Sequence, residues 1–199
     1  MLDTRARKNF DFLFDKGSDF FIKLNMSPSQ VTIMALLIGI ASAFSFYLDM
    51  ILLAVILLWF SGFLDAVDGH LARKTNQISK MGTLMDIIFD RIVEISIIIA
   101  IAVKNQQTLF PLLLLTCSII VCMCVFLTTG ALSENKSKKS FYYQAGLMER
   151  TETFIFFTLI FILQNYIFLL IYAFTVAIMI TVVQRVAEAR KIFMDMERG

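Results

Sequence analysis

Apolar residues fill long stretches of this chain, and polar ones gather in short segments between them. Six apolar runs stand out, at about 31–48, 50–67, 84–103, 109–130, 153–164 and 166–184. Crossing a hydrocarbon core of roughly 30 Å takes about 20 apolar residues in a helix. Inside lipid a backbone must satisfy its own hydrogen bonds, so helices are the form these runs predict. The fifth run is short if it begins at Thr153, but reaches spanning length if its helix starts near Gly146. Asp49 parts the first two runs and Gln164-Asn165 the last two, so both turns must be tight.

Ahead of the runs, Phe10, Leu13, Phe14, Phe20, Phe21 and Leu24 recur at helical spacing with Lys and Asp between them. This pattern predicts an amphipathic helix lying in the membrane interface with its apolar side down. Ala41-Ser42-Ala43 looks like a signal-peptidase site, but the long charged segment before the apolar run and its continuation past Ala43 argue against cleavage. Ser27 and Pro28 supply a helix cap and a first-turn proline. The expected fold class is therefore an all-α integral membrane protein in one domain, 1–199. It comprises an interfacial helix at 1–25 and a bundle of six transmembrane helices at 26–199.

Composition agrees with a membrane class. Hydrophobic residues make up 58% of the 199 and charged ones 17%, against about 45–50% and about 25% in soluble domains. A net charge of +2 gives no reason to expect a nucleic-acid partner. The distribution of basic residues says more. Arg5, Arg7, Lys8, Lys16 and Lys23 precede the first run; Arg73, Lys74 and Lys80 follow the second; Lys136, Lys138 and Lys139 follow the fourth; Arg185, Arg190, Lys191 and Arg198 end the chain. Only Lys104 falls on the opposite side, so the positive-inside rule places both termini in the cytosol. Cys117, Cys122 and Cys124 share one apolar run and His70 is the single histidine, so no zinc set is present; each cysteine is expected to be a small buried hydrophobe.

One segment departs from this plan. DAVDGHLARKTNQISKMGTLMDIIFDR, residues 65–91, sets four aspartates between two apolar runs, at the cytosolic face by the topology above. Carboxylates near a bilayer usually face a bundle interior or a wet cavity. Asp65 and Asp68 are three apart, with Gly69 and Ala72 continuing their face; Gly82, Asp86 and Asp90 are each four apart. Side chains at these spacings lie on one side of a helix. Two antiparallel helices could bring both pairs into one cavity, where four carboxylates cannot all ionise without a compensating positive charge. Oxygen donors without His or Cys suit Mg²⁺ or Mn²⁺. Gly69 and Gly82 leave room for a bulky ligand, and Arg73 offers a fork of donors to a phosphate. The competing reading, solvated aspartates in a loop whose glycines end the helices, does not account for helical phasing on both flanks.

The spacing Asp65-x-x-Asp68-Gly69-x-x-Ala72-Arg73, eight residues, Gly82-x-x-x-Asp86-x-x-x-Asp90 resembles the signature of the CDP-alcohol phosphotransferases, membrane enzymes of phospholipid headgroup synthesis. The resemblance covers the whole chain: six transmembrane helices behind an amphipathic one, a cytosolic active site and, usually, a homodimer. It implies two Mg²⁺ or Mn²⁺ ions held by Asp65, Asp68, Asp86 and Asp90, with Asp90 also as general base. Asp68, Gly69, Ala72, Arg73 and Gly82 are implied around the CDP moiety. The implied reaction passes a phosphatidyl group from CDP-diacylglycerol to a small polar alcohol and releases CMP. The implied setting is the cytoplasmic membrane of a prokaryote. One departure lies outside the signature: Pro28-Ser29, then Thr32, stand where relatives often have Pro-Asn, which weakens the case for nucleotide contacts from that segment.

For a phosphorylated acceptor the candidate contacts are Lys138, Lys139, Arg150 and Arg185. The segments AGLMERTE and TVVQR are similar to the phosphatidylinositol-phosphate synthase branch, in which the arginine matching Arg185 helps bind the acceptor phosphate. That branch usually carries Tyr-x-Arg-Ala after the fourth helix, where this chain reads TTGALSENKSKK, a departure that counts against inositol phosphate. The lysines there serve positive-inside topology and anionic-lipid attraction equally well. Glu94, one turn beyond Asp90, is expected to pair with Arg91, and His70 to face solvent. Two other functions compete with this one. A phosphotransferase joining a soluble CDP-alcohol to diacylglycerol has the same signature. A divalent-cation transporter would place its site near the midplane at broken helices rather than at one face.

Overall fold

The computed structural model describes residues 2–133 and 146–198. The described residues form seven α-helices and no strand: α1 (Leu2–Lys23), α2 (Pro28–Tyr47), α3 (Ile51–Lys74), α4 (Lys80–Lys104), α5 (Leu109–Leu132), α6 (Arg150–Ile162) and α7 (Ile167–Arg198). Short 3₁₀ turns at Gln106–Thr108 and Gln164–Tyr166 lead into α5 and α7. Helix ends follow the local chemistry. Ser27 caps α2 reciprocally with Gln30: the Ser27 hydroxyl accepts from the Gln30 amide, and the Gln30 side chain accepts from the Ser27 amide at 2.8 Å. Asn25, Asp49 and Asn76 take φ of 53°, 63° and 54°. This left-handed region, which Asn and Asp tolerate best after Gly, lets the chain turn away after α1, α2 and α3.

Among the described residues, four stretches are long and apolar enough to cross a membrane: Pro28–Tyr47, Ile51–Lys74, Gln106–Leu132 and Gln164–Met194. The expected third span lies in α4, whose 25 residues carry Asp86, Asp90, Arg91 and Glu94. The helix at the expected fifth span, α6, differs from expectation. It begins at Arg150 rather than near Gly146 and has 13 residues. Residues 146–149 bond to α7 instead of extending α6: the Leu147 amide donates to Gln184 Oε1 at 2.9 Å and the Met148 amide to Thr181 Oγ1 at 3.0 Å. Gly146 is needed there, since a Cβ would lie 2.4 Å from Thr181 Cγ2.

Two compact units divide the chain: Ala6–Gln107, and Met1–Arg5 with Thr108–Gly199. In the first, α2 packs against both α3 and α4. Small residues allow the approach. A Cβ on Gly39 would sit 2.5 Å from Val93 and 2.9 Å from Ser61 Oγ. Ser61 donates across to the Ala35 carbonyl and Ser42 to that of Ala54, each at 2.7 Å, a use of small hydroxyl residues common between membrane helices. At the far end of α4, Lys104 pairs with Asp49, donates to the Phe46 carbonyl at 3.2 Å and lies 4.5 Å from the Phe46 ring centre. This clamps the α2–α3 turn.

The apolar residues of α1 divide between two faces rather than all pointing one way. Phe21 joins a core of Val31, Ala35, Leu64, Val67 and Leu71, with Phe14 packed against it, while Phe12, Leu13, Phe20 and Leu24 stay exposed. In the second unit α7 packs along α5 and against α6, around Phe157, Phe161, Ile171 and Phe174. Of the three cysteines only Cys122 is buried. Cys117 and Cys124 lie exposed on α5, against the expectation that all three would be buried.

Candidate metal and nucleotide site

The helix α3 continues without a break from its apolar portion to Lys74, so Asp65, Asp68, Gly69 and Ala72 share one face. The connection to α4 is short and self-satisfied. Thr75 Oγ1 donates to the Leu71 carbonyl at 2.8 Å, and Ser79 Oγ accepts from the Gly82 amide at 2.9 Å, capping α4. Gly82, Asp86 and Asp90 then rise along α4 one turn apart. As a result Asp65, Asp68 and Asp86 each bring a carboxylate oxygen within 4.8 Å of the other two.

Asp68 is the buried member, 6% exposed. The Thr32 hydroxyl lies within hydrogen-bonding reach of it, although the same hydroxyl also faces the Pro28 carbonyl at 3.0 Å and has one proton to give. Asp68 Oδ2 is buried with no protein donor. A buried carboxylate oxygen without a partner is costly, and three crowded carboxylates repel one another. A hard divalent cation relieves both problems, and an all-oxygen donor set suits Mg²⁺ or Mn²⁺. The residues present fit such an ion.

Asp90 stands one turn beyond Asp86 and outside that trio, near enough for the charges of Asp86 and Asp68 to act on it. Arg91 and Glu94 act on Asp90 with opposite signs, and they pair with each other as expected. Among the described residues, neither glycine of the signature is walled in by a neighbouring helix. A Cβ on Gly69 would meet only the Arg73 guanidinium, at 3.5 Å, and one on Gly82 only Ser79 Oγ, at 3.1 Å. Arg73 itself is exposed, and Ala72 is half-buried. The face between the aspartates and Arg73 is thus lined by residues with little or no side chain.

Other candidates are placed differently. His70 does not simply face solvent: its ring lies 5.5 Å from that of Phe14 on α1. Thr32 comes from α2, and no spacing within the signature points to it; only the tertiary packing of α2 on α3 does. Arg185 is buried in the second unit, with its guanidinium 5.0 Å from the Phe126 ring centre and Nη1 3.3 Å from Cys122 Sγ. Arg150 stands at the start of α6 over the Phe154 ring. Lys138 and Lys139 lie outside the described residues.

Comparison with known proteins identifies the family. Residues 25–186 match the CDP-alcohol phosphatidyltransferase family. The archaetidylinositol phosphate synthase of Pyrococcus horikoshii is 35% identical over 175 residues, 84% of this chain and 86% of that protein. Among solved structures, the phosphatidylinositol phosphate synthase of Mycobacterium tuberculosis with CDP-DAG bound superposes with a TM-score of 0.73 at 19% identity, covering 88% of this chain and 92% of that one. The same enzyme in complex with manganese and citrate gives a TM-score of 0.72 at 18% identity, covering 88% of each chain. At that identity the likeness speaks to the fold. The family match and the Pyrococcus relative carry the assignment: this chain belongs to the CDP-alcohol phosphatidyltransferase family and is a transferase.

Proposed function

We propose that the chain transfers a phosphatidyl group from CDP-diacylglycerol, or a CDP-activated lipid of the same polarity, to a phosphorylated polyol of the inositol phosphate kind, releasing CMP. The observation that carries the reading is the trio Asp65, Asp68 and Asp86 with its unpartnered Asp68 oxygen, beside a face stripped of side chains at Gly69 and Gly82. The similarity to an archaetidylinositol phosphate synthase supports the acceptor class.

Asp65, Asp68 and Asp86 would hold two Mg²⁺ or Mn²⁺ ions, with Asp90 reaching the second. When bound, such ions neutralise a pyrophosphate and stabilise the entering and leaving oxygens. Gly69, Ala72 and Gly82 admit the cytidine diphosphate close to the backbone, and Arg73 donates to its phosphate oxygens. Asp90 accepts the proton from the acceptor hydroxyl, which requires hydrogen-bonding reach. The freed oxygen forms a bond to the phosphorus of the phosphatidyl group. The bond from that phosphorus to the CMP oxygen breaks, and CMP leaves with the electron pair. Arg185 and Arg150, with Lys138 and Lys139, would receive the phosphate already on the acceptor.

We further read the chain as one functional domain of six crossings with both termini in the cytosol of a prokaryote, acting as a homodimer in the cytoplasmic membrane. With a rise of about 1.5 Å per residue, α4 is about 37 Å long and can span. The helix α6 reaches only about 20 Å and needs the flanking residues 146–149 and 164–166 to complete its crossing. The test is CMP release by purified protein from CDP-diacylglycerol with Mg²⁺ or Mn²⁺, offering inositol phosphate, glycerol 3-phosphate, serine and inositol singly. Release that depends on inositol phosphate, stops with chelator and returns with metal is the expected result. Release with an unphosphorylated alcohol alone would overturn the acceptor assignment.

A further inference from the structure

The segment Phe12–Lys23 of α1, with Leu24 just after it, has three distinct sides. One grips α3 on the turns that carry the aspartates. A Cβ on Gly17 would lie 2.8 Å from Val67 Cγ2, Phe14 lies against both Phe63 and His70, and Ser18 is fully buried. Val67 and His70 flank Asp68 and Gly69 in sequence. On the adjoining side Lys74, the last residue of α3, bonds Asp19 at 2.7 Å and Asp15 at 3.2 Å. The third side faces away from the bundle and displays Phe12, Leu13, Lys16, Phe20, Lys23 and Leu24, all exposed, with Phe12 at 67% and Phe20 at 57%.

Charge here is net positive: Lys16, Lys23 and Lys74 stand against Asp15 and Asp19, which are exposed as well. The ionic groups of the outer side are Lys16 and Lys23, while Asp15 and Asp19 are engaged by Lys74 on the adjoining side. Aromatic and aliphatic residues interleaved with lysine on one helix face suit the boundary between acyl chains and anionic headgroups. We propose that this face of α1 is a docking surface for anionic lipid, and that the Lys74 bridges and the Gly17 contact pass its seating to the aspartate-bearing turns of α3. Metal affinity at Asp65, Asp68 and Asp86 then depends on the charge of the surrounding lipid. The coupling rests on the metal reading given above; the docking surface does not.

Both parts are tested with the full chain in vesicles of phosphatidylcholine, with and without a minor share of phosphatidylglycerol. A Trp at position 20 (Phe20→Trp in a Trp59→Phe background, Trp59 being the one natural tryptophan) reports the docking face. Brominated phosphatidylglycerol should quench it more deeply, mole for mole, than brominated phosphatidylcholine, and Lys16→Glu with Lys23→Glu should erase the difference. Equal quenching by the two lipids in the parent would overturn the docking surface. For the coupling, Mn²⁺ binding should tighten several-fold when phosphatidylglycerol is added. Simple attraction of Mn²⁺ to a charged vesicle affects every variant alike, so the comparison is with the double glutamate variant. Lys74→Gln should keep the quenching preference and lose the extra tightening. Tightening equal in parent, double variant and Lys74→Gln would overturn the coupling. Absence of Mn²⁺ binding in all lipids would overturn the metal reading and the coupling with it, leaving the quenching result standing.

Discussion

The unit Ala6–Gln107 draws carboxylates from α3 and α4 together around Asp68, whereas the unit built from α5, α6 and α7 buries an arginine, Arg185. The first arrangement is locally encoded: two helices, one short connection and residues three or four apart. The second is not. Arg185 lies on Phe126 and against Cys122, which are 59 and 63 positions away in sequence, and the segment 146–149 beside it is held by Thr181 and Gln184 of α7. The difference teaches that a carboxylate cluster can be compact in sequence, while the surroundings of a buried arginine are assembled from distant parts.

Removing single carboxylates tests whether the first unit carries the chemistry, and should give the largest effects. Asp68→Asn and Asp90→Asn are each expected to lower CMP release by about a thousandfold, which for Asp90 lies within the span typical of a positioned acid–base group. Mn²⁺ binding separates them. It should collapse in Asp68→Asn, where a buried ligand oxygen is lost, and fall only in part in Asp90→Asn, which lies outside the trio and would reach the second ion alone. Equal loss of metal in both would make Asp90 a ligand first and a base second.

A smaller effect is expected in the second unit. Arg185→Met keeps the length and the packing on Phe126 but removes the charge. If Arg185 meets the acceptor phosphate, KM for inositol phosphate should rise about 10- to 100-fold, the worth of a charged hydrogen bond or two. KM for CDP-diacylglycerol should not move. A parallel rise in both constants would assign Arg185 to the packing of α5 on α7 instead.

Legibility in the sequence follows the same division. Helical form, the Ser27 cap, the tight turn at Asp49 and the Arg91–Glu94 pair are consequences of local spacing, and the structure shows each of them. The start of α6 was not legible. Residues 146–149 have no strong breaker besides Gly146, and what holds them out of the helix is Thr181 and Gln184 on a distant segment. Thr32 was hidden for the same reason, since its approach to Asp68 depends on α2 packing on α3. The two-faced α1 shows the limit of periodicity. Spacing reveals an amphipathic helix, but Phe14 and Phe21 are claimed by protein while Phe12 and Phe20 are not, and nothing local distinguishes them.

Two glycines of the first unit give the finest test of which surfaces are packed and which are kept open. Gly39 is enclosed: its missing side chain is occupied by Val93 and Ser61, so Gly39→Ala must push helices apart. Overpacking of this kind costs about 1–3 kcal/mol, and the expected result is a lower Tm in detergent with KM for CDP-diacylglycerol unchanged in the surviving protein. Gly82 is open apart from Ser79 Oγ at 3.1 Å, which caps α4 and would have to give by a few tenths of an ångström while keeping its bond to the Gly82 amide. Gly82→Ala should therefore keep Tm within about a degree, because helix propensity gained on α4 offsets a slightly strained cap. Its methyl group would instead intrude on the face proposed to receive the nucleotide, raising KM for the CDP-lipid a few-fold while KM for the acceptor stays put. The reverse outcome, a Tm loss at Gly82 with unaltered KM, would mean that the opening beside Asp86 is filled by protein in the working enzyme, and the nucleotide would have to be sought along Arg73 alone.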